Sequence, residues 1–263
     1  MSNTAPKLLV MGNWKMNPPT IGSAKELMLD IRKGIGRHKS EVEVVVAPPT
    51  VYLPEMERIT PSQRILLGAQ DVHSEKSGPH TGEVSLSMLE SVGVSHIIIG
   101  HSERRAAGET DLEIYKNVQT VLKGKAVAVV CVGETHRDAH GNYFGVVEAQ
   151  LRAALRDVKP MCLKYLTIAY EPVWAIGTGE TATPEDAHEM RLFIQKILMD
   201  RFGRSALKKV RILYGGSVKP QNAEALLQEG EVDGFLIGGA SLKAKDFTEI
   251  VKIGERYVKN NPS

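Results

Sequence analysis

Cysteine is scarce in this chain, with two residues, Cys131 and Cys162, among 263. So few thiols exclude a disulfide framework and point to a reducing compartment, so a cytoplasmic location is expected. An excess of charge of one sign is also missing. Lysine and arginine number 33 against 31 aspartate and glutamate, and the signs are interspersed, which argues against a nucleic-acid or polyanion partner. Residues 1–7 lack the apolar core of a signal peptide. No apolar run approaches the length that spans a bilayer; the longest obvious one is 126–132, so no membrane partner is expected. No linker, low-complexity segment or charge block divides the chain, which is therefore read as one domain over 1–263.

What is present is an alternation of short apolar runs with amphipathic segments. The runs 8–11, 42–46, 65–67, 96–99, 126–132, 165–169, 210–213 and 235–237 read as eight strands. Most are continuously apolar, which marks parallel strands covered on both faces. Helices are expected between them: one opened by a capping box at Ser23 and Glu26 and stopped at Gly36, others at 53–59, 86–92, 112–122 and 146–158. A long helix capped by Thr183 and Pro184 ends at Gly203, and 221–228 and 247–258 complete the set. Hydrophobic residues at 42% supply a substantial core. The expected fold is α/β, a single (β/α)8 barrel with parallel strands. An open doubly wound sheet competes with it, but its Gly-x-Gly-x-x-Gly fingerprint is missing after the first strand.

In a barrel, chemistry belongs on the loops after the strands. Those loops carry Asn13 and Lys15, then His101, then Glu171, then Gly215, Gly216 and Ser217, then Gly238 and Gly239. Glu171 stands where the sixth run stops, and Pro172 keeps it extended. The overlong connection after it has the length of a lid, and a carboxylate beneath an apolar flap suits a general base. A strand-end glutamate paired with a lysine is the structural alternative. Two glycine turns in adjacent loops let backbone N–H groups approach a phosphate, where one alone would be ordinary turning. Lys15 reads as an anchor for an anionic substrate or as a solvated surface lysine. His101 precedes a helix start at Ser102, which favours a neutral hydrogen-bond donor over imidazolium; a structural imidazole is the other reading. His136 and His140 have helical metal spacing but lie in a loop without a third ligand, so no metal is expected. Cys131 reads as a buried structural thiol.

Seven motifs, in order over nearly the whole chain, resemble the triosephosphate isomerase family. They are 12–17 (GNWKMN), 47–50 (APPT), 100–105 (GHSERR), 131–134 (CVGE), 169–179 (AYEPVWAIGTG), 213–218 (LYGGSV) and 234–240 (GFLIGGA). The resemblance implies a TIM barrel that interconverts dihydroxyacetone phosphate and glyceraldehyde 3-phosphate without a cofactor. It implies Glu171 as the base, neutral His101 polarising the carbonyl, and Lys15 and Asn13 binding substrate. Gly177, Ser217, Gly238 and Gly239 would hold the phosphate of the small phosphorylated triose. It further implies a homodimer through the loop 70–83, which begins at Gln70 and ends at Glu83. That loop departs from the family pattern, with Asp71 for an asparagine and His80 for an aromatic residue. Two rivals remain. Another phosphosugar-binding barrel would share the glycine turns but not the motif around Glu171, and a non-catalytic binder would have lost Glu171, His101 or Lys15.

Overall fold

The computed structural model describes residues 8–36, 40–60, 64–175 and 182–261. Eight parallel strands close into a barrel in chain order, the last pairing with the first. They are β1 Leu8–Asn13, β2 Val42–Ala47, β3 Leu66–Ala69, β4 Val94–Ile99, β5 Val127–Val132, β6 Leu166–Tyr170, β7 Arg211–Tyr214 and β8 Gly234–Ile237. The helices are α1 Ile21–Ile35, α2 Leu53–Ile59, α3 Leu86–Ser91, α4 Ser102–Ala106, α5 Asp111–Gly124, α6 Asn142–Ala154, α7 Pro184–Phe202, α8 Pro220–Gln228 and α9 Ala244–Asn260. No helix among the described residues is long and apolar enough to cross a membrane.

The continuous apolar runs serve two cores at once. Alternate strand residues point to opposite faces. Leu9, Met11, Val45, Ile98, Val129, Ala169, Leu213 and Leu236 fill the barrel, while Leu8, Val10, Val44, Ile97 and Val130 pack outward. Near the strand starts the filling turns polar: Arg211 of β7 donates to Glu43 of β2, and His96 of β4 lies 3.4 Å from the same carboxylate.

Three helix starts lie three or more residues from the sequence expectation, one of them α9, which opens at Ala244 rather than at 247. Thr20, not Ser23, caps α1: its hydroxyl accepts the Ser23 N–H at 3.2 Å, so Ser23 and Glu26 lie inside the helix. Helix α6 begins at Asn142 and ends at Ala154, four residues earlier at each end than the apolar pattern suggested, because Gly141 enters it in a left-handed turn (φ 75°). The cap at Thr183 forms as expected, its hydroxyl accepting the Asp186 N–H at 3.2 Å while Asp186 accepts the Thr183 N–H at 2.8 Å.

Candidate active site

The C-terminal rim of the barrel gathers the expected residues. Asn13, Lys15, His101, Glu171, Ser217, Gly238 and Gly239 border one pocket of about 440 Å³. Gly177 lies outside the described residues.

Glu171 follows β6 and is only 2% exposed. Its backbone is wedged between neighbouring strand ends: its N–H donates to the Val132 carbonyl at 2.8 Å, and Gly215 N–H donates to the Tyr170 carbonyl at 2.7 Å. A Cβ on Gly133 would fall 1.8 Å from the Glu171 carbonyl oxygen, so only glycine admits this approach. The carboxylate then has two partners. Ser102 N–H donates to Oε2 at 2.8 Å, and His101 Nε2 stands 3.0 Å from Oε1. His101 is itself the N-cap of α4, with Nδ1 accepting the Glu103 N–H at 3.2 Å. An N–H aimed at Nδ1 leaves the ring proton on Nε2, the nitrogen that faces Glu171 and the pocket. Beneath them Cys131 is fully buried, and burial, with the Glu171 charge adding, pushes its thiol well above the usual range. It is a packing residue.

Lys15 is held in the left-handed region, φ 52°. For a residue with a Cβ this costs about 1–2 kcal/mol and persists where neighbours fix it. Here Asn13 Oδ1 accepts the Lys15 N–H at 2.9 Å, and Gln70 Nε2 donates to the Lys15 carbonyl at 2.8 Å and to the Ala47 carbonyl at 3.0 Å. Its ammonium reaches Glu103 at 2.5 Å, and a Cβ on Gly238 would lie 3.3 Å from its Cε. The glycine turn and the lysine therefore face one another across the pocket floor.

Three features escaped the sequence. Lys219 and Lys243 also border the pocket, beside the glycine turns. A lysine three or four residues after each Gly-Gly pair was the available signal. Both flanks of Glu171 are clamped to one oxygen: Glu134 Oε1 accepts from the Tyr170 hydroxyl and the Trp174 indole N–H, each at 2.8 Å. Arg137 holds that carboxylate at 2.9 Å and also reaches Asp186 at 2.7 Å. Finally, a second pocket of about 310 Å³ shares Asn13, Lys15 and His101 but extends toward Asp71, Glu83 and Arg104. Burial pushes the Asp71 carboxyl up to about 6, although Arg104 stands 2.7 Å away. His136 and His140 remain in loop, and no group of three or more metal-ligating side chains occurs among the described residues.

Residues 8–254 match the family model described as triosephosphate isomerase. Among curated proteins, a triosephosphate isomerase from Carboxydothermus hydrogenoformans is 46% identical over 251 residues, covering 94% of this chain and 98% of the relative. Another, from Endomicrobium trichonymphae, is 44% identical over 248 residues, covering 94% and 98%. One from Clostridium botulinum (strain Okra / Type B1) is 43% identical over 245 residues, covering 92% and 98%.

Proposed function

This chain belongs to the triosephosphate isomerase family, and from that premise we propose how its rim residues interconvert dihydroxyacetone phosphate and glyceraldehyde 3-phosphate in glycolysis and gluconeogenesis. In this reading Gly238 and Gly239, with Ser217 and Gly177, hold the substrate phosphate through N–H groups, and Lys219 and Lys243 add positive potential. The reacting carbons then lie between Glu171 and His101. Substrate enters by separating that pair, so the carboxylate exchanges an imidazole N–H for a substrate C–H. Glu171 removes a proton from C1; the electron pair moves into a C1–C2 double bond, and the C2 oxygen takes the charge. His101 Nε2–H and the Lys15 ammonium stabilise that oxygen. Proton exchange between the two oxygens passes through Nε2, and Glu171 returns its proton to C2. Every step is a proton transfer, so no cofactor is called for.

The observation that carries this reading is the convergence of Glu171, His101 and Lys15 on one pocket with the Gly238–Gly239 turn. The test is a coupled isomerase assay on purified protein without added metal or nucleotide. Failure to convert dihydroxyacetone phosphate would overturn it. The role of His101 has its own check: ¹⁵N NMR should show the Nε2–H tautomer in the free enzyme, and an Nδ1–H signature would remove it as the donor.

We read the whole chain as one domain in the cytoplasm and as a homodimer through the loop 70–83. The loop tip is exposed from Glu75 to Glu83. Met16 and Val51, 93% and 75% exposed, lie next to Lys15 and Thr50, which border the second pocket, as does Gly82 of the loop. Exposed apolar side chains around a polar socket fit a partner's loop seated beside Lys15. Thr81→Arg should give inactive or weakly active monomer; unchanged size by light scattering with full activity would place the interface elsewhere.

A further inference from the structure

A groove of about 450 Å³ opens at the opposite end of the barrel, where the chain enters β5 and β6. Its floor is apolar, formed by Leu122 at the end of α5, by Val158, and by Tyr165 of the short helical turn Pro160–Tyr165. Four lysines surround it, Lys123, Lys125, Lys159 and Lys164, all exposed. Lys164 lies over the Tyr165 ring at 4.9 Å, and among the described residues none of the four pairs with a carboxylate. The one acid at the rim, Asp157, is already engaged by the Tyr115 hydroxyl and lies 3.7 Å from Arg156.

We propose that this groove binds a small amphiphilic anion, an alkyl or aryl acid whose apolar body covers Leu122, Val158 and Tyr165 while its oxygens meet the lysines. The volume is that of a small-molecule site with an apolar lining and a few polar anchors. Four lysines with no carboxylate partner among the described residues face one acid, so the charge around the groove disfavours a cationic ligand. The site lies at the strand starts, so occupancy leaves the isomerase pocket open.

The groove carries a reporter. Cys162 is a half-buried free thiol in its wall, whereas Cys131 is fully buried. Octanoate should slow N-ethylmaleimide labelling of Cys162 saturably, read by mass spectrometry on the native protein. Octylammonium and inorganic phosphate should not, since one has the wrong charge and the other no apolar body. Lys159→Glu with Lys164→Glu should weaken octanoate protection at least tenfold, with isomerase activity unchanged. Full activity certifies that this double variant is folded. No saturable protection by octanoate, equal protection by octylammonium, or wild-type protection in the lysine double variant would each overturn the proposal.

Discussion

Each end of the barrel buries a histidine against a glutamate. At the C-terminal rim His101 and Glu171 stand 3.0 Å apart; near the strand starts His96 and Glu43 stand 3.4 Å apart. The residue types are the same and the surroundings are not. Glu43, His96 and Arg211 project from three strands, and the Ser95 hydroxyl lies 2.9 Å from His96 Nδ1. His101 and Glu171 stand just past their strands and border an open pocket. Burial pushes His96 down to about 4, with Arg211 adding to the shift and Glu43 opposing it. One pair is cross-bracing inside a sheet; the other is presented to a ligand. What separates them is the loop, not the side chain.

The sharpest way to break this comparison is to make the same substitution at both ends. Glu171→Gln should lower kcat by about 10²–10⁴-fold, the range for a lost general base, while moving the unfolding midpoint little. Glu43→Gln should do the reverse, costing about 2–3 kcal/mol of stability by leaving Arg211 and His96 poorly matched, with kcat within a few-fold. Loss of rate in Glu43→Gln at unchanged stability would show that the two ends are not separable.

The next effect tests the clamp that the rim has and the opposite end does not need. Arg137→Met would leave Glu134 buried with no cation, at a cost of about 3 kcal/mol. Because Glu134 Oε1 holds both Tyr170 and Trp174, the residues flanking the base, kcat should fall about tenfold while KM changes less. Stability lost with kcat retained would make the clamp purely structural.

The sequence disclosed the two ends unequally. Strand and helix order could be read because the barrel needs apolar runs on strands coated by helices, and that pattern is local. Asn13, Lys15, His101, Glu171 and the glycine turns could be read from their place after strands. Contacts between distant segments could not. His101 on Glu171, Arg137 on Asp186, and Gly133 against the Glu171 backbone each join residues that only closure of the barrel brings together. The start of α1 was misread because Ser23 and Glu26 have capping-box spacing, yet Thr20 three residues earlier supplies the oxygen. The His96 pair went unread because a histidine in an apolar run carries no sign of what faces it.

A third, smaller effect gives the His96 pair a signature in pH. The His96 pKa is depressed on folding, from about 6.5 to about 4, so the unfolded chain binds the proton first. Stability that is complete above 6.5 is therefore lost as pH falls toward 4, by about 2–3 kcal/mol. Asp71, raised to about 6 by burial, acts in the opposite sense over part of this window. The readout is therefore a difference: His96→Gln should gain on wild type as pH falls from 7 to 4, while the Asp71 contribution cancels. A difference that stays constant with pH would show that His96 does not bind its proton preferentially in the unfolded chain.

The smallest effect concerns a second matched pair, two lysines in the left-handed region, one at each end. Lys15 (φ 52°) is fixed by Asn13 and Gln70, and its conformation aims an ammonium into the pocket. Lys125 (φ 66°) ends α5, where its N–H donates to the Leu122 carbonyl at 3.3 Å and its side chain is exposed. A left-handed residue at a helix end is commonly glycine because the Cβ penalty vanishes there. Lys125→Gly should therefore gain roughly 0.5–1 kcal/mol, the relief exceeding the extra freedom of glycine in the unfolded chain. Isomerase activity should not change, because Lys125 is at the end of the barrel remote from Glu171. Equal or lower stability in Lys125→Gly, measured by denaturant unfolding, would mean that the lysine is comfortable in its turn. Left-handed backbone would then carry no measurable strain at the end of the barrel where nothing requires it.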